Sequence, residues 1–239
     1  MINDRFNMTQ EENVFCAKRV LVDSVYKQAN LEGIAVTYAQ TIDILNNVNA
    51  DSLTPKDINK ICCLRDGWHY LLDNLDTPIN LAYIEKIHEI IARFDVDYKY
   101  LGVPRTSDVM ISGTSWRPAI PNFEKVHNEL MEHLKNPNIT DRAIRTGLWL
   151  MRVQPFQDGN KRVGSYLINR ILIENGKGIF NVPVEKDGQF KTMLVKYYET
   201  DNADQILDFC VKECIDGINE INKEVTEKKR TKTTKKSVR

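Results

Sequence analysis

Threonine recurs in this chain at one kind of place: just ahead of an apolar run spaced like the face of a helix. Thr9 is followed three residues on by Glu12. The pair makes a capping box, in which hydroxyl and carboxylate each satisfy a backbone N–H that the first helical turn leaves open. Val14, Ala17, Leu21 and Val25 then fall three or four apart, and Gly33 supplies a stop. Thr37 repeats the device with Gln40. Thr54 precedes Pro55 at the first helical position, where a missing N–H costs little. Further helices are predicted in INLAYIEKIHEIIARF, FEKVHNELMEHLKN, TDRAIRTGLWLMRVQ with Thr140 as cap, and NKRVGSYLINRILIENG with Gly176 as stop. GQFKTMLVKYYET and ADQILDFCVKECIDGINEINKEV complete the series. There is no internal repeat. The expectation is an all-α protein.

One stretch breaks the pattern. KYLGVPRTSDVMISGTSWRPAIP holds three prolines and two glycines, and the short β-type run Val109-Met110-Ile111 lies between turn residues. It reads as an exposed hairpin, or flap, within residues 99–118.

Composition narrows the class. Hydrophobic residues make up 42% of 239, enough to bury a sizeable core. The formal net charge of zero is unevenly spread. Residues 221–239 carry eight Lys/Arg against two Glu, or +6, which leaves −6 for the rest. That basic tail reads as a solvated, disordered end. The rival reading is a contact with nucleic acid or an acidic partner. Five cysteines, an odd number without a CxxC, argue for buried thiols over a disulfide framework or a metal site. MINDRFNMTQEEN lacks the apolar run of a signal peptide, and no window reaches the length of a membrane span. A cytoplasmic setting without membrane partners is the expectation.

Between two of the predicted helices stands QPFQDGNKR, residues 154–162. The first N–H groups of a helix have no internal partners, and its dipole favours anions. Gly159 lets the backbone approach a ligand, Lys161 and Arg162 add positive charge, and Asp158 suits a magnesium ion shared with phosphate. From spacing alone the stretch fits equally an Asn-capped helix start with a solvated Lys-Arg pair.

The same nine residues resemble the signature of the Fic/Doc (Fido) family, HxFx(D/E)GNxR. Pro155, Phe156, Asp158, Gly159, Asn160 and Arg162 match by position. ANLEGIAVTYAQTIDIL, IEKIHEII, GVPRTSDVMISG and LINRILIENG are similar to other parts of that domain. The resemblance implies one helical domain over residues 1–220, with N-terminal helices over 9–76, a core from about 80 to 217 and a small hairpin flap. It implies ATP and Mg²⁺ as cofactors and transfer of AMP to a hydroxyl of a target protein. It also implies roles: Asp158 for the metal, Gly159, Asn160, Lys161 and Arg162 around the phosphates, and Phe156 as the loop's anchor. Val109, Met110, Ile111, Ser112 and Gly113 would dock the target by strand addition.

The sequence departs from that family at informative points. Gln154 stands where the family has its histidine. A neutral amide cannot serve as general base, and losing one typically costs about 10²–10⁴ in rate. Chemistry that rests on positioning and charge stabilisation can survive in part. Lys161 replaces a glycine, as in the Doc kinases, and Ser165 stands where a second arginine is usual. Glu32-Gly33 match the family's inhibitory helix, with Gln28 at its hydroxyl position. Lacking the second arginine, Glu32 is left as a relic or to pair with Arg162 or Lys161. A helix-end glutamate before a stop glycine fits equally well. His69, His88, His127 and His133 read as structural or solvent-facing. The chain is thus expected to be a divergent family member of weak or lost activity. The alternatives are an inactive binding module and a Doc-like phosphotransferase.

Overall fold

The helix Asn160–Glu174 (α8) is buried along almost its whole length. Val163, Leu167, Ile168, Ile171 and Leu172 make the apolar face expected from the sequence, but Ser165, Asn169 and Arg170 are buried too. A helix covered on all sides is the centre of its domain. The computed structural model describes residues 2–48 and 53–218. The basic stretch 221–239 and the last part of the helix expected to reach residue 225 lie outside the described residues.

α1 (Gln10–Arg19), α4 (Pro55–Asp73) and α5 (Leu81–Ile91) pack directly on α8, and α2 (Leu21–Leu31) and α3 (Tyr38–Leu45) pack on α4. α6 (Phe123–His133), α7 (Ile139–Val153), α9 (Asp187–Thr200) and α10 (Asp204–Glu213) complete the bundle. β1 (Ile179–Phe180) and β2 (Ile215–Asp216) form a two-stranded antiparallel sheet, Ile179 opposite Asp216 and Phe180 opposite Ile215. The all-α reading holds.

The caps at Thr9, Thr37 and Thr54 form as expected. Both capping boxes are closed, and Thr54 Oγ1 accepts from Asp57 N at 3.1 Å. Three boundaries differ from expectation. The helix expected over residues 203–225 ends at Glu213, because Ile215–Asp216 leaves it to pair with β1. The first helix breaks at Val20, so Thr9 and Gly33 bracket two helices rather than one. α7 is capped by Asn138, whose Oδ1 accepts from Asp141 N at 2.8 Å. Thr140 instead donates its hydroxyl to Asp4 at 2.6 Å, a partner 136 residues away that local sequence cannot reveal.

α7 and α8 cross with glycine on both sides. A Cβ on Gly147 would lie 2.6 Å from the Gly164 carbonyl, and one on Gly164 would lie 2.7 Å from the Gly147 carbonyl. Only glycine lets the two backbones come this close. The six residues joining these helices, 154–159, are the signature loop, so the loop rises from the most tightly packed pair in the bundle.

The flap segment departs from expectation in one respect. No strand forms within residues 99–118, and the small sheet lies elsewhere. Tyr98–Tyr100 is a 3-10 turn, and residues 103–122 run on without a ladder. Pro104, Pro118 and Pro121 withhold donors from one. Thr114 Oγ1 donates to Glu199 at 2.7 Å, and the Trp116 ring lies 4.1 Å from the Arg152 guanidinium carbon.

Candidate functional site

α7 ends at Gln154, whose backbone is left-handed at φ 52°. A side chain in that conformation costs about 1–2 kcal/mol, so the surroundings must impose it. Its amide is held on both sides: Nε2 donates to Met151 O at 2.5 Å, and Oε1 accepts from Asn160 Nδ2 at 2.8 Å. Residue 154 is thus part of the loop's internal network.

Asn160 is the hub of that network. Its Oδ1 accepts from Phe156 N at 2.9 Å, and Nδ2 donates to Phe156 O at 2.8 Å. The residue is only 2% exposed. With its polar atoms turned onto the loop, Asn160 shapes the loop and does not reach outward. Phe156, expected as the anchor, is 1% exposed and stacks on His88, centroids 3.9 Å apart.

His88 was expected to be structural or solvent-facing; it is fully buried, and the structure gives it a specific task. Its Nδ1 accepts from Gly102 N at 2.9 Å, which leaves Nε2 as the donor to Asp158 O at 3.1 Å. The ring is therefore neutral. Burial, with the Arg162 charge adding to it, holds its pKa down to about 4 against the hydrogen bond to Asp158. His88 bolts the signature loop to α5 and to the root of the flap. His133 is likewise held down by burial, but lies against Trp149, away from the loop.

α8 starts from Gly159, at φ 79°, and no side chain caps its first amides. A side chain at Gly159 would be strained and would crowd Ala92 and Arg162 at 3.4 Å. Asp158 is exposed. One of its oxygens accepts from Gly159 N at 2.5 Å, and Arg162 Nη2 lies 3.8 Å away.

Arg162 is buried, its side chain 4% exposed. Nη1 donates to Ile91 O at 3.1 Å and pairs closely with Asp95. Lys60 holds the other Asp95 oxygen at 2.5 Å. Glu32 sits beside both cations of the loop, 3.2 Å from Lys161 Nζ and 3.3 Å from Arg162 Nε. Both pairings considered for Glu32 are therefore present. They are ionic contacts without hydrogen-bond geometry: Glu32 Oε1 and Arg162 Nε are buried and make no hydrogen bond. Burial alone would lower the Arg162 pKa, but Glu32 and Asp95 together raise it. Lys161 also donates to Leu31 O at 3.2 Å, at the end of α2, where a cation meets the negative end of the helix dipole. Ser165 turns back onto Lys161 O at 3.1 Å and is buried, so nothing at that position faces the loop.

Sequence reasoning missed Asp95 and Arg105. Neither belongs to a motif, and each is recognised only by what is buried around it. Arg105 is 2% exposed. Its Nε donates to Gln154 O at 2.7 Å, Nη1 to Ser107 O at 2.8 Å, and Nη2 to Pro118 O at 3.2 Å and Ala119 O at 2.6 Å. Its backbone N–H donates to Pro155 O at 2.9 Å. The flap residues 109–113 lie beyond this contact, with Met110 80% exposed.

A helical bundle with a glycine-started central helix, and a loop built around Asn160 and Phe156, defines the class of protein. The model of the Fic/DOC family matches residues 78–172, from the turn before α5 to the last turns of α8. Over that stretch the chain is similar to the Fic/DOC family. A probable protein adenylyltransferase of Aquifex aeolicus (strain VF5) is 33% identical over 86 residues, a match spanning 33% of this chain and 27% of that protein. The chain thus matches about a quarter of that relative's length. A Fic domain containing signaling protein from Bacteroides thetaiotaomicron superposes with TM-score 0.69 at 17% identity, over 85% of this chain and 87% of that one. Fic-1 of C. elegans (residues 134–508) gives TM-score 0.73 at 18% identity, over 91% and 67%. At these identities the likeness is one of fold.

Proposed function

We propose that the loop 154–162 seats the phosphates of a nucleotide with Mg²⁺. The ancestral chemistry of the site is then transfer of AMP from ATP to a protein hydroxyl, weak or lost here because Gln154 stands where a base is needed. The reading rests above all on the start of α8. Its first amides lack a side-chain cap, and beside them Arg162 Nε is a buried donor with no hydrogen bond. Both are arrangements that an anion satisfies. The name of the Aquifex relative, a probable protein adenylyltransferase, agrees with that ancestry.

In this reading Asp158 holds the metal. One exposed carboxylate suits an ion that draws its remaining ligands from phosphate and water. When bound, the ion would neutralise phosphate charge. Gly159 gives the backbone its close approach, Asn160 sets the loop's shape, and Lys161 and Arg162 supply the charge. Glu32 occupies the two cations and must yield or share them when phosphate enters. Gln154 can orient a hydroxyl but cannot take its proton. Val109, Met110, Ile111, Ser112 and Gly113 are the docking strand for the target, a role supported by the lack of any partner strand for them among the described residues.

Titration calorimetry with ATP or ADP plus Mg²⁺ tests the reading. Binding is expected, weakened at least tenfold in Asn160→Ala and Arg162→Ala, with folding checked by circular dichroism. No heat at millimolar nucleotide would leave the inactive binding module as the better account.

A further inference from the structure

The flap has no β-ladder, yet it follows one defined path across the signature loop. We infer that Arg105 is the positioning residue that replaces the ladder, holding both limbs of the flap in register with residue 154. The inference builds on the reading of residues 109–113 as a docking strand.

The geometry is specific to a guanidinium. Its five N–H groups lie in a rigid plane, and here they bond to four carbonyls from three places. Ser107 belongs to the outgoing limb, Pro118 and Ala119 to the returning limb, and Gln154 to the loop. Fixing both limbs with one side chain ties the ends of the docking segment together. The bond to Gln154 O ties that pair to the strained, left-handed residue at the seat's edge. Among the described residues no carboxylate pairs with the cation, Asp108 acting only at a distance. Every acceptor of Arg105 is backbone, so its only product is backbone geometry. A lysine could occupy the volume but offers three donors from one point and cannot span the four carbonyls.

The other tethers lie further along the segment. Thr114 reaches Glu199, and Trp116 lies over Arg152. These hold the tip and the returning limb against α9 and α7, but neither touches residue 154. Among the described residues, Arg105 alone joins the flap's base to that residue through a side chain.

The test uses the full chain with Arg105→Lys and Arg105→Gln. Thermolysin is applied under native conditions, and nicking within residues 106–118 is compared with cleavage inside α8 in the same digest. Both variants should be nicked in the flap at least tenfold faster than wild type while α8 stays protected. A second readout is acrylamide quenching. Of the three tryptophans, Trp68 and Trp149 are buried, so release of Trp116 should raise the accessible fraction of emission. Wild-type flap protection in either variant, or a lysine that protects as well as arginine, overturns the inference. Should both variants fail to fold, the wild-type chain still decides by NMR. Arg105 Hε and Hη protons should exchange far more slowly than those of a surface arginine, and equal rates overturn it. None of these readouts needs nucleotide, so a failure of the proposed binding and a failure of this inference are separately visible.

Discussion

Acid should loosen this protein at its signature loop well before its carboxylates are neutralised, because His88 is built in as a neutral ring. Its folded pKa of about 4 lies below the ordinary 6.5. Between those values the unfolded chain binds the proton and the folded chain resists it, so stability falls as pH drops from 6.5 towards 4. The gap is about 2.5 pH units at about 1.4 kcal/mol each, which caps the loss at roughly 3.4 kcal/mol. At pH 5 the loss should already be about 2 kcal/mol relative to pH 7.5. Protonation also removes the acceptor for Gly102 N, so the flap root and the loop lose their common bolt. The charges that face the ring are Arg162, Asp158 and Asp95. Asp95, whose pKa is lowered despite burial by Arg162 and Lys60, keeps its charge down to pH values below 3.8 and does not share the window. His133, also lowered by burial, does share it, so a control is needed. Urea unfolding followed by circular dichroism at pH 7.5 and 5 should be run on wild type and His88→Phe, which retains the stacking on Phe156. The variant should be less stable at pH 7.5 but lose about 2 kcal/mol less on acidification. An equal loss in both proteins would refute the assignment of His88 as the acid-sensitive bolt.

Gln154→His should raise auto-labelling with radioactive ATP, partially because Lys161 and Ser165 still alter the phosphate site. Equal labelling by wild type would mean that the missing base is irrelevant. Adding Ser165→Arg should tighten nucleotide binding measured by calorimetry, and Glu32→Gly in that background should raise labelling further. Gly147→Ala forces a methyl to within 2.3 Å of Ile168 Cγ1. It should cost at least about 1–3 kcal/mol in urea unfolding, and a neutral result would show that the helix crossing can open. Phe156→Ala should cost about 3–5 kcal/mol and weaken nucleotide binding, as the loop loses its partner for His88; unchanged affinity would separate the anchor from the seat.

Local rules carried the sequence reading as far as local forces reach. Thr9, Thr37 and Thr54 were legible because a cap and its partner lie within one turn of each other. The loop was legible because its glycine, its asparagine and its cations are adjacent in sequence. The break at Val20 was not, since the apolar periodicity runs straight through it. Thr140 was misassigned because Asp4 outbids the local cap from the far end of the chain. The flap's β-type run suggested strands, but the prolines withhold donors and Arg105 takes up carbonyls on both limbs. Asp95, Lys60 and Arg105 could not be found by motif, because a buried charge is defined by neighbours from distant segments. The pairing of Glu32 with both Lys161 and Arg162 was legible only as alternatives, since helix ends meet through the fold.

The glycine-on-glycine crossing of α7 and α8 bears on how fast a ligand could bind. Two backbones in contact have no room to slide, so the connecting loop cannot adjust by moving its supports. On the proposed function, the seat exists before the nucleotide arrives, and little ordering entropy is spent there on binding. Whatever must move lies on the other side: the α2 end that carries Glu32, and the flap. Association would then be limited by how often those two covers clear the seat, and dissociation by how firmly they close again. Substitutions in the covers should therefore change rates more than they change the pose of the bound phosphate.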